Sequence, residues 1–302
     1  MNSVEQRPIL SFAVALAAVG VLSVMDAVMK SLVIALGIYV ISVWRSLLGA
    51  TLGALIYLPG RKGWPNRRTL KLHVGRGIII SAMGVAFFWG LARTPMAQAI
   101  ALTFIAPLIA LVLSAIFLGE TVGRRIVLAS LVAFGGVALI LAGQARADLG
   151  RDALLGSAAI LFSAVCYAIN IVLMRAQAMA ARPPEITFFQ NVTIASVMLL
   201  SIPFFGGVAF PTGHWPALVA ASLMSTAGVL LFAFAYARGQ ASYLSVTEYS
   251  AFIWAAALGW LFFAEPVSPI TLAGAVLIVG GCLIAARQGK AAATEPEIEA
   301  VA

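Results

Sequence analysis

The sequence predicts an all-α polytopic membrane protein in which ten transmembrane helices form two inverted five-helix repeats. Three observations carry this expectation. Of 302 residues, 62% are hydrophobic and 10% charged, with a mean hydropathy of +1.04. A water-soluble domain needs about a quarter of its residues charged, so this chain lacks the polar surface to live in water. Its apolar runs come in stretches of about 20 residues, the length that crosses a hydrocarbon core of about 30 Å. The chain also repeats itself: a shift of 145 positions (93 to 238) carries Arg93 onto Arg238, Glu120 onto Glu265 and Gly135-Gly136 onto Gly280-Gly281. The same shift carries Lys30 onto Arg175, Trp44 onto Phe189 and Arg45 onto Gln190.

The first span, 9–29, follows Arg7 and could pass for a secretion signal. It runs for the full length of a spanning helix and lacks a clear small-residue cleavage site, which argues against that. The second, 36–58, carries Trp44 and Arg45. A basic connector leads to the third, 74–92. The fourth, 95–117, holds Gln98, Thr103 and Pro107, and the fifth, 124–143, holds the Gly135-Gly136 pair. The second copy follows as 154–174 with Asn170, 185–206 with Gln190, 216–237, 240–264 with Glu248 and Tyr249, and 268–286 with Gly280-Gly281. The repeat units are therefore 9–143 and 154–287, and 288–302 reads as a disordered cytoplasmic tail.

Charge sets the orientation. Arg61, Lys62, Arg67, Arg68, Lys71 and Arg76 crowd one side, joined by Arg124, Arg125, Arg175, Arg182 and Arg238. Only Lys30, Arg93, Arg146 and Arg151 fall on the other. Positive-inside asymmetry then puts both termini in the cytoplasm, and the net charge of +8 reads as that bias rather than as a nucleic-acid surface. Five spans per unit is an odd number, so the second unit enters upside down. Inverted units offer two equivalent ways of closing, one on each face, with a binding site between them.

The order and duplicate spacing of short motifs carry a family likeness. The first half has Arg93-Thr-Pro-Met-Ala-Gln-Ala, Phe104-Ile-Ala-Pro107, Phe117-Leu-Gly-Glu120 and Gly135-Gly136. The second has Ala237-Arg-Gly-Gln-Ala-Ser, Phe262-Phe-Ala-Glu265 and Gly280-Gly281. Over roughly residues 9–287 the chain resembles the drug/metabolite transporter superfamily, in its ten-helix EamA-type branch. It departs from the pattern with Phe252 where the first half has Pro107, which leaves open whether the fourth and ninth helices bend alike. The resemblance implies a bacterial cytoplasmic (inner) membrane and proton-linked or gradient-driven movement of small metabolites. The end of the first span, Asp26 to Lys30, is similar to carriers of vitamin- and nucleoside-like compounds; an amino-acid-like cargo fits equally.

Charges inside spans are the first candidates for a site, because a charged side chain at the helix centre costs about 2.5–3.5 kcal/mol even on the mildest scale. Arg45 lies roughly 13 Å from one end of its span and Glu248 about 12 Å from the opposite face, which brings their depths together. They either hold opposite ends of a substrate or form a permanent ion pair. Asp26 and Lys30, four residues apart, form a local salt bridge or an outer gate, and Asp26 and Glu248 are the candidate proton carriers. Pro107 cannot donate to the Thr103 carbonyl, so a kink there either exposes an acceptor or is satisfied by neighbouring Ser and Thr hydroxyls, with Gln98 on the outward side. Asn170 and Gln190 bind substrate or join helices, and Trp44 and Tyr249 each flank a buried charge and can stack on a planar ligand. Glu120 and Glu265 read as helix caps or gate partners.

Other chemistries are disfavoured. His73 and His214 fall in polar connectors, and Cys166 and Cys282 stand alone in apolar runs, so neither a metal centre nor a cofactor is expected. No phosphate-binding loop is present for direct ATP drive. An intramembrane enzyme would need a catalytic cluster at one depth, and none is read here. The remaining alternative is a non-transporting scaffold or receptor. Expected partners are a small-molecule substrate and the lipid bilayer, with no nucleic acid, and the chain could act as a monomer or a homodimer.

Overall fold

Polar backbone cannot face lipid unpaired, so a chain of this composition resolves into helices. In the computed structural model, residues 8–61, 63–118, 124–146, 150–205, 208–236, 238, 244 and 247–292 are described. Their helices are α1 (Pro8–Leu36), α2 (Ile38–Gly60), α3 (Arg67–Leu91), α4 (Met96–Thr103), α5 (Ala106–Leu118), α6 (Arg124–Arg146) and α7 (Gly150–Ala180). Then follow α8 (Pro183–Leu200), the one-turn α9 (Ile202–Phe205), α10 (Trp215–Tyr236), α11 (Ala251–Phe263) and α12 (Pro269–Ala292). With α4–α5 forming one broken span and α9 extending α8, these helices supply ten spans. Five stretches, within α1, α2, α3, α7 and α10, are long and apolar enough to cross a membrane on length and composition alone. Large apolar side chains such as Leu55, Leu131, Phe134, Leu223, Trp260 and Val276 stand exposed around the bundle, as a lipid-facing surface requires.

Several ends differ from the expectation. α1 continues to Leu36, and Gly37 at φ 81° turns the chain straight into α2. α3 begins well before position 74, because the Asn66 side chain accepts a hydrogen bond from the Thr69 amide at 2.9 Å and caps it. His73 is thereby carried into a helix and buried rather than left in a connector. α12 runs to Ala292, into the stretch expected to be disordered, since Gln, Lys and Ala favour helix. Glu120, Tyr243 and 293–302 lie outside the described residues.

The dominant helix pairs reveal the symmetry of the duplication. α1 packs on α10, α3 on α7, α2 on α8 and α6 on α12. Exchanging each helix for its repeat counterpart turns α3–α7 into α10–α1 and returns α2–α8 and α6–α12 to themselves. That is the signature of a two-fold axis passing through the last two pairs. Both run antiparallel: Gly53 lies against Phe188 while Gly49 meets Asn191, and Gly136 meets Gly274 while Gly143 meets Ile270. The units are inverted. At α6–α12 the backbones almost touch, since a Cβ on Gly136 would sit 2.6 Å from the Gly274 carbonyl oxygen. Only small residues permit this approach.

Candidate functional site

The symmetry recurs in broken helices. α4 stops at Thr103, the chain turns at Phe104-Ile105, and α5 resumes at Ala106. Across the break the amides of Phe104, Ile105 and Leu108 bond three residues back, to Ala101, Leu102 and Ile105, at 3.1–3.4 Å. The sequence predicts a kink at Pro107; the helix breaks outright, and Pro107 sits in the first turn of α5, where its missing N–H costs nothing. The second unit breaks at Tyr249-Ser250, the repeat counterparts of Phe104-Ile105, although Phe252 replaces the proline. There the Ser250 hydroxyl donates to the Thr247 carbonyl at 2.6 Å, and the Thr247 hydroxyl donates to that of Leu244 at 2.7 Å. The Thr103 hydroxyl does the same to Ile100, at 2.7 Å. Hydroxyl-to-carbonyl bonds rather than proline are thus common to the two breaks. The rings of Phe104 and Tyr249 meet edge to face at 5.3 Å, so the breaks converge.

They converge on a cavity of about 980 Å³ between the units. One face of α1 contributes Val19, Leu22, Ser23, Asp26 and Met29, the spacing of a single helical stripe. α2 adds Ser42, Arg45 and Ser46, and α3 adds Ser81, Phe87 and Phe88. Thr103 and Pro107 reach it from the first break, Glu248 and Tyr249 from the second, and Gln190 from α8. Among the described residues, the charged side chains lining it are Asp26, Arg45 and Glu248. Asp26 and Arg45 are near enough to interact electrostatically, and the Arg45 guanidinium stands 5.5 Å from the Phe88 ring centre. Glu248 interacts in the same way with Tyr167 of α7.

Other expected site residues are placed elsewhere. Lys30 does not pair with Asp26. Its ammonium lies 2.5 Å from Glu265 and donates to the Thr94 carbonyl at 2.8 Å, with Phe263 beneath it at 4.9 Å. The other Glu265 oxygen accepts from the Met96 amide at 2.7 Å and caps α4, so Glu265 serves as both cap and ion partner. A buried partner that also satisfies a carbonyl outweighs a local i,i+4 pair worth a few tenths of a kcal/mol. Trp44 turns away from the cavity lining, donates to the Ala209 carbonyl at 3.0 Å and packs on Phe210 and Trp215. Gln98 is buried and donates to Ser157 at 3.3 Å; Asn170 accepts from Arg76 at 2.8 Å. Sequence reasoning missed the proximity of Asp26 to Arg45, the Ser23, Ser42 and Ser46 hydroxyls around it, and Tyr167. The replacement of Asp26 by Ile171 in the second unit was the available signal.

The sequence profile of the EamA-like transporter family matches residues 9–142 and again 154–287. The chain belongs to the EamA-like transporter family. It is thus a multi-pass membrane protein and a small-molecule transporter. Among its relatives are the pseudopaline exporters of two Pseudomonas aeruginosa strains, 29% identical over 89% of this chain and 93% of theirs. A riboflavin transporter of Rhizobium johnstonii is 30% identical over 70% of this chain and 68% of its own. A solved crystal structure, 20% identical, aligns with a TM-score of 0.59 over 92% of this chain and 97% of that one, a likeness of fold. The family and these relatives are transporters rather than enzymes. In an EamA-type chain with this duplication, the cavity between the units is the place to seek the cargo.

Proposed function

We propose that this EamA-type protein is a secondary carrier that moves a small metabolite by alternating access through the cavity between its inverted units. The observation that carries this reading is the meeting of two symmetry-related helix breaks, at Phe104-Ile105 and Tyr249-Ser250, beside Asp26, Arg45 and Glu248. Broken helices bring backbone acceptors and charges to the same depth, and a break is a natural pivot for one unit rocking on the other. Arg45, Glu248, Thr103, Tyr249 and Gln190 contact the cargo. Asp26 and Glu248 carry protons, and the Lys30–Glu265 junction closes the outer end. Trp44, Gln98 and Asn170 shape the wall from behind.

The cavity accepts a cargo that is part apolar and part charged. Phe87, Phe88, Phe104 and Tyr249 offer ring faces, and the carboxylates and guanidinium fix orientation. A vitamin-, nucleoside- or amino-acid-like metabolite matches this, and a riboflavin transporter among the relatives supports the reading. The bacterial relatives support an inner-membrane location, and the basic connectors support cytoplasmic termini.

The test is a thermal-shift screen of the purified protein against amino acids, vitamins and nucleosides, followed by flux in proteoliposomes. A cargo should raise Tm by mass action. Glu248→Gln and Arg45→Gln should each cut flux at least tenfold while the protein remains folded. Flux that is unchanged in both variants would move the site elsewhere. Flux indifferent to collapse of the pH gradient would remove the proton from the mechanism.

A further inference from the structure

A second polar assembly lies one turn beyond the cavity, toward the end where α2 joins α3 and α7 joins α8. Arg76 and Asn170 there are each about one turn from the cavity-lining Ile80 and Tyr167. Arg76 donates through Nε to the Asn170 oxygen at 2.8 Å and through Nη1 to the Gln177 oxygen. Gln177 Nε2 lies 2.5 Å from His73 Nδ1, and His73 Nε2 lies 3.1 Å from Glu185. His73 is 0% exposed and Gln177 1%, and the imidazole is clamped against the Phe189 ring, 4.9 Å between centres and 11° from parallel.

The polarity of this chain of bonds is forced. A guanidinium only donates, so Gln177 must turn its oxygen to Arg76 and its NH₂ to His73. His73 Nδ1 must then accept and carry no proton. The ring proton sits on Nε2 and is donated to Glu185. One chain of donors thus ties α7 to two positions on α3 and, through His73, to α8.

We propose that uncharged His73 is the keystone of a pH-sensitive lock that holds α3, α7 and α8 together at this end of the transport path. A proton added at Nδ1 meets the Gln177 NH₂, donor against donor. Either His73 releases Gln177 and stays with Glu185, or the amide turns over and loses Arg76. One link of α7 is lost in both cases. Among the described residues, Tyr57 of α2 is in electrostatic reach of Glu185 and Arg61, and the same end carries Arg67, Arg68 and Lys71 on α3 and Arg182 at the start of α8. The Arg175 side chain lies outside the described residues. Calling this end a gate rests on the carrier reading; the lock itself does not.

The chain has only two histidines, so ring-¹⁵N labelling of the purified full-length protein gives two resolvable imidazoles, with His214→Asn identifying the other. At pH 8, His73 should show the Nε2–H tautomer. Spin labels at Arg68→Cys and Arg182→Cys, with Cys166 and Cys282 replaced by Ala, read the separation of the exposed starts of α3 and α8. That separation should change between pH 8 and pH 5 with the same midpoint as the Nδ1 titration. Gln177→Glu turns acceptors toward both Arg76 and His73, so the ring that fits is the one carrying a proton on Nδ1, and the separation should follow the His73 titration in the opposite sense. An Nδ1–H tautomer at pH 8 overturns the proposal. So does a His73 that stays neutral to pH 5, or a separation that ignores its titration, or a Gln177→Glu response equal to the parent's. Vesicle flux of the same preparations separates the two readings: no flux with the pH response intact removes the carrier and leaves the lock, and the converse removes the lock alone.

Discussion

Asp26 and Arg45 show what a single side chain decides. Each sits in a span where a lone charge is costly, and each has the other within electrostatic reach. Removing one strands its partner, whereas removing both leaves none. Asp26→Asn and Arg45→Gln should therefore each destabilise the protein by about 2 kcal/mol, below the full penalty of a broken buried pair because the cavity side admits water. The double variant should be more stable than the two losses added together by at least about 1 kcal/mol, with flux lost in all three. Thermal unfolding in detergent reads the first result and proteoliposomes the second. Strict additivity would show that the two residues act separately. At this scale the sequence identified the charged residues but not all of their partners. Spacing offered Asp26 and Lys30 as a local pair or an outer gate, whereas Lys30 reaches a glutamate 235 positions away.

Among the elements, the two glycines of the first unit's pair have different fates. A Cβ on Gly136 would press on the Gly274 carbonyl at 2.6 Å and on Ile278 at 2.8 Å, while one on Gly135 would meet nothing within 4 Å. Gly136→Ala should cost about 1–3 kcal/mol as the α6–α12 crossing is forced apart. Gly135→Ala should be neutral or stabilise by up to about 1 kcal/mol, since Ala is the better helix former. The pair of melting temperatures checks it, and equal shifts would mean the crossing is looser than described. The helix breaks teach a related lesson. Pro107 made the first one visible in the sequence, but the second has no proline and is made by hydroxyl-to-carbonyl bonds that leave no comparable mark. Pro107→Ala should accordingly keep the break and most of the flux.

For the molecule as a whole, the inverted duplication brings equivalent breaks together at one site. Collapsing the pH gradient should stop concentrative transport while leaving exchange of labelled for unlabelled cargo intact, because exchange needs no net driving force. A C-terminal fluorescent protein should be bright and a C-terminal alkaline phosphatase inactive, as both termini in the cytoplasm require. An active phosphatase would invert the orientation and exchange the inner and outer ends assigned above.

Composition, span length and the 145-position repeat were enough to determine a ten-span bundle of two opposed halves, because lipid demands apolar helices and an odd number of spans inverts the second copy. They also marked Arg45 and Glu248, since charge within a span stands out whatever surrounds it. The cavity lining, the Lys30–Glu265 junction and the chain from Arg76 to Glu185 were decided by tertiary structure alone. Each joins residues far apart in sequence, and which neighbour a helix face meets depends on packing that periodicity does not encode. His73 is the plainest case: its local sequence reads as a polar connector, and only the cap at Asn66 and the stacking of Phe189 place it inside the bundle.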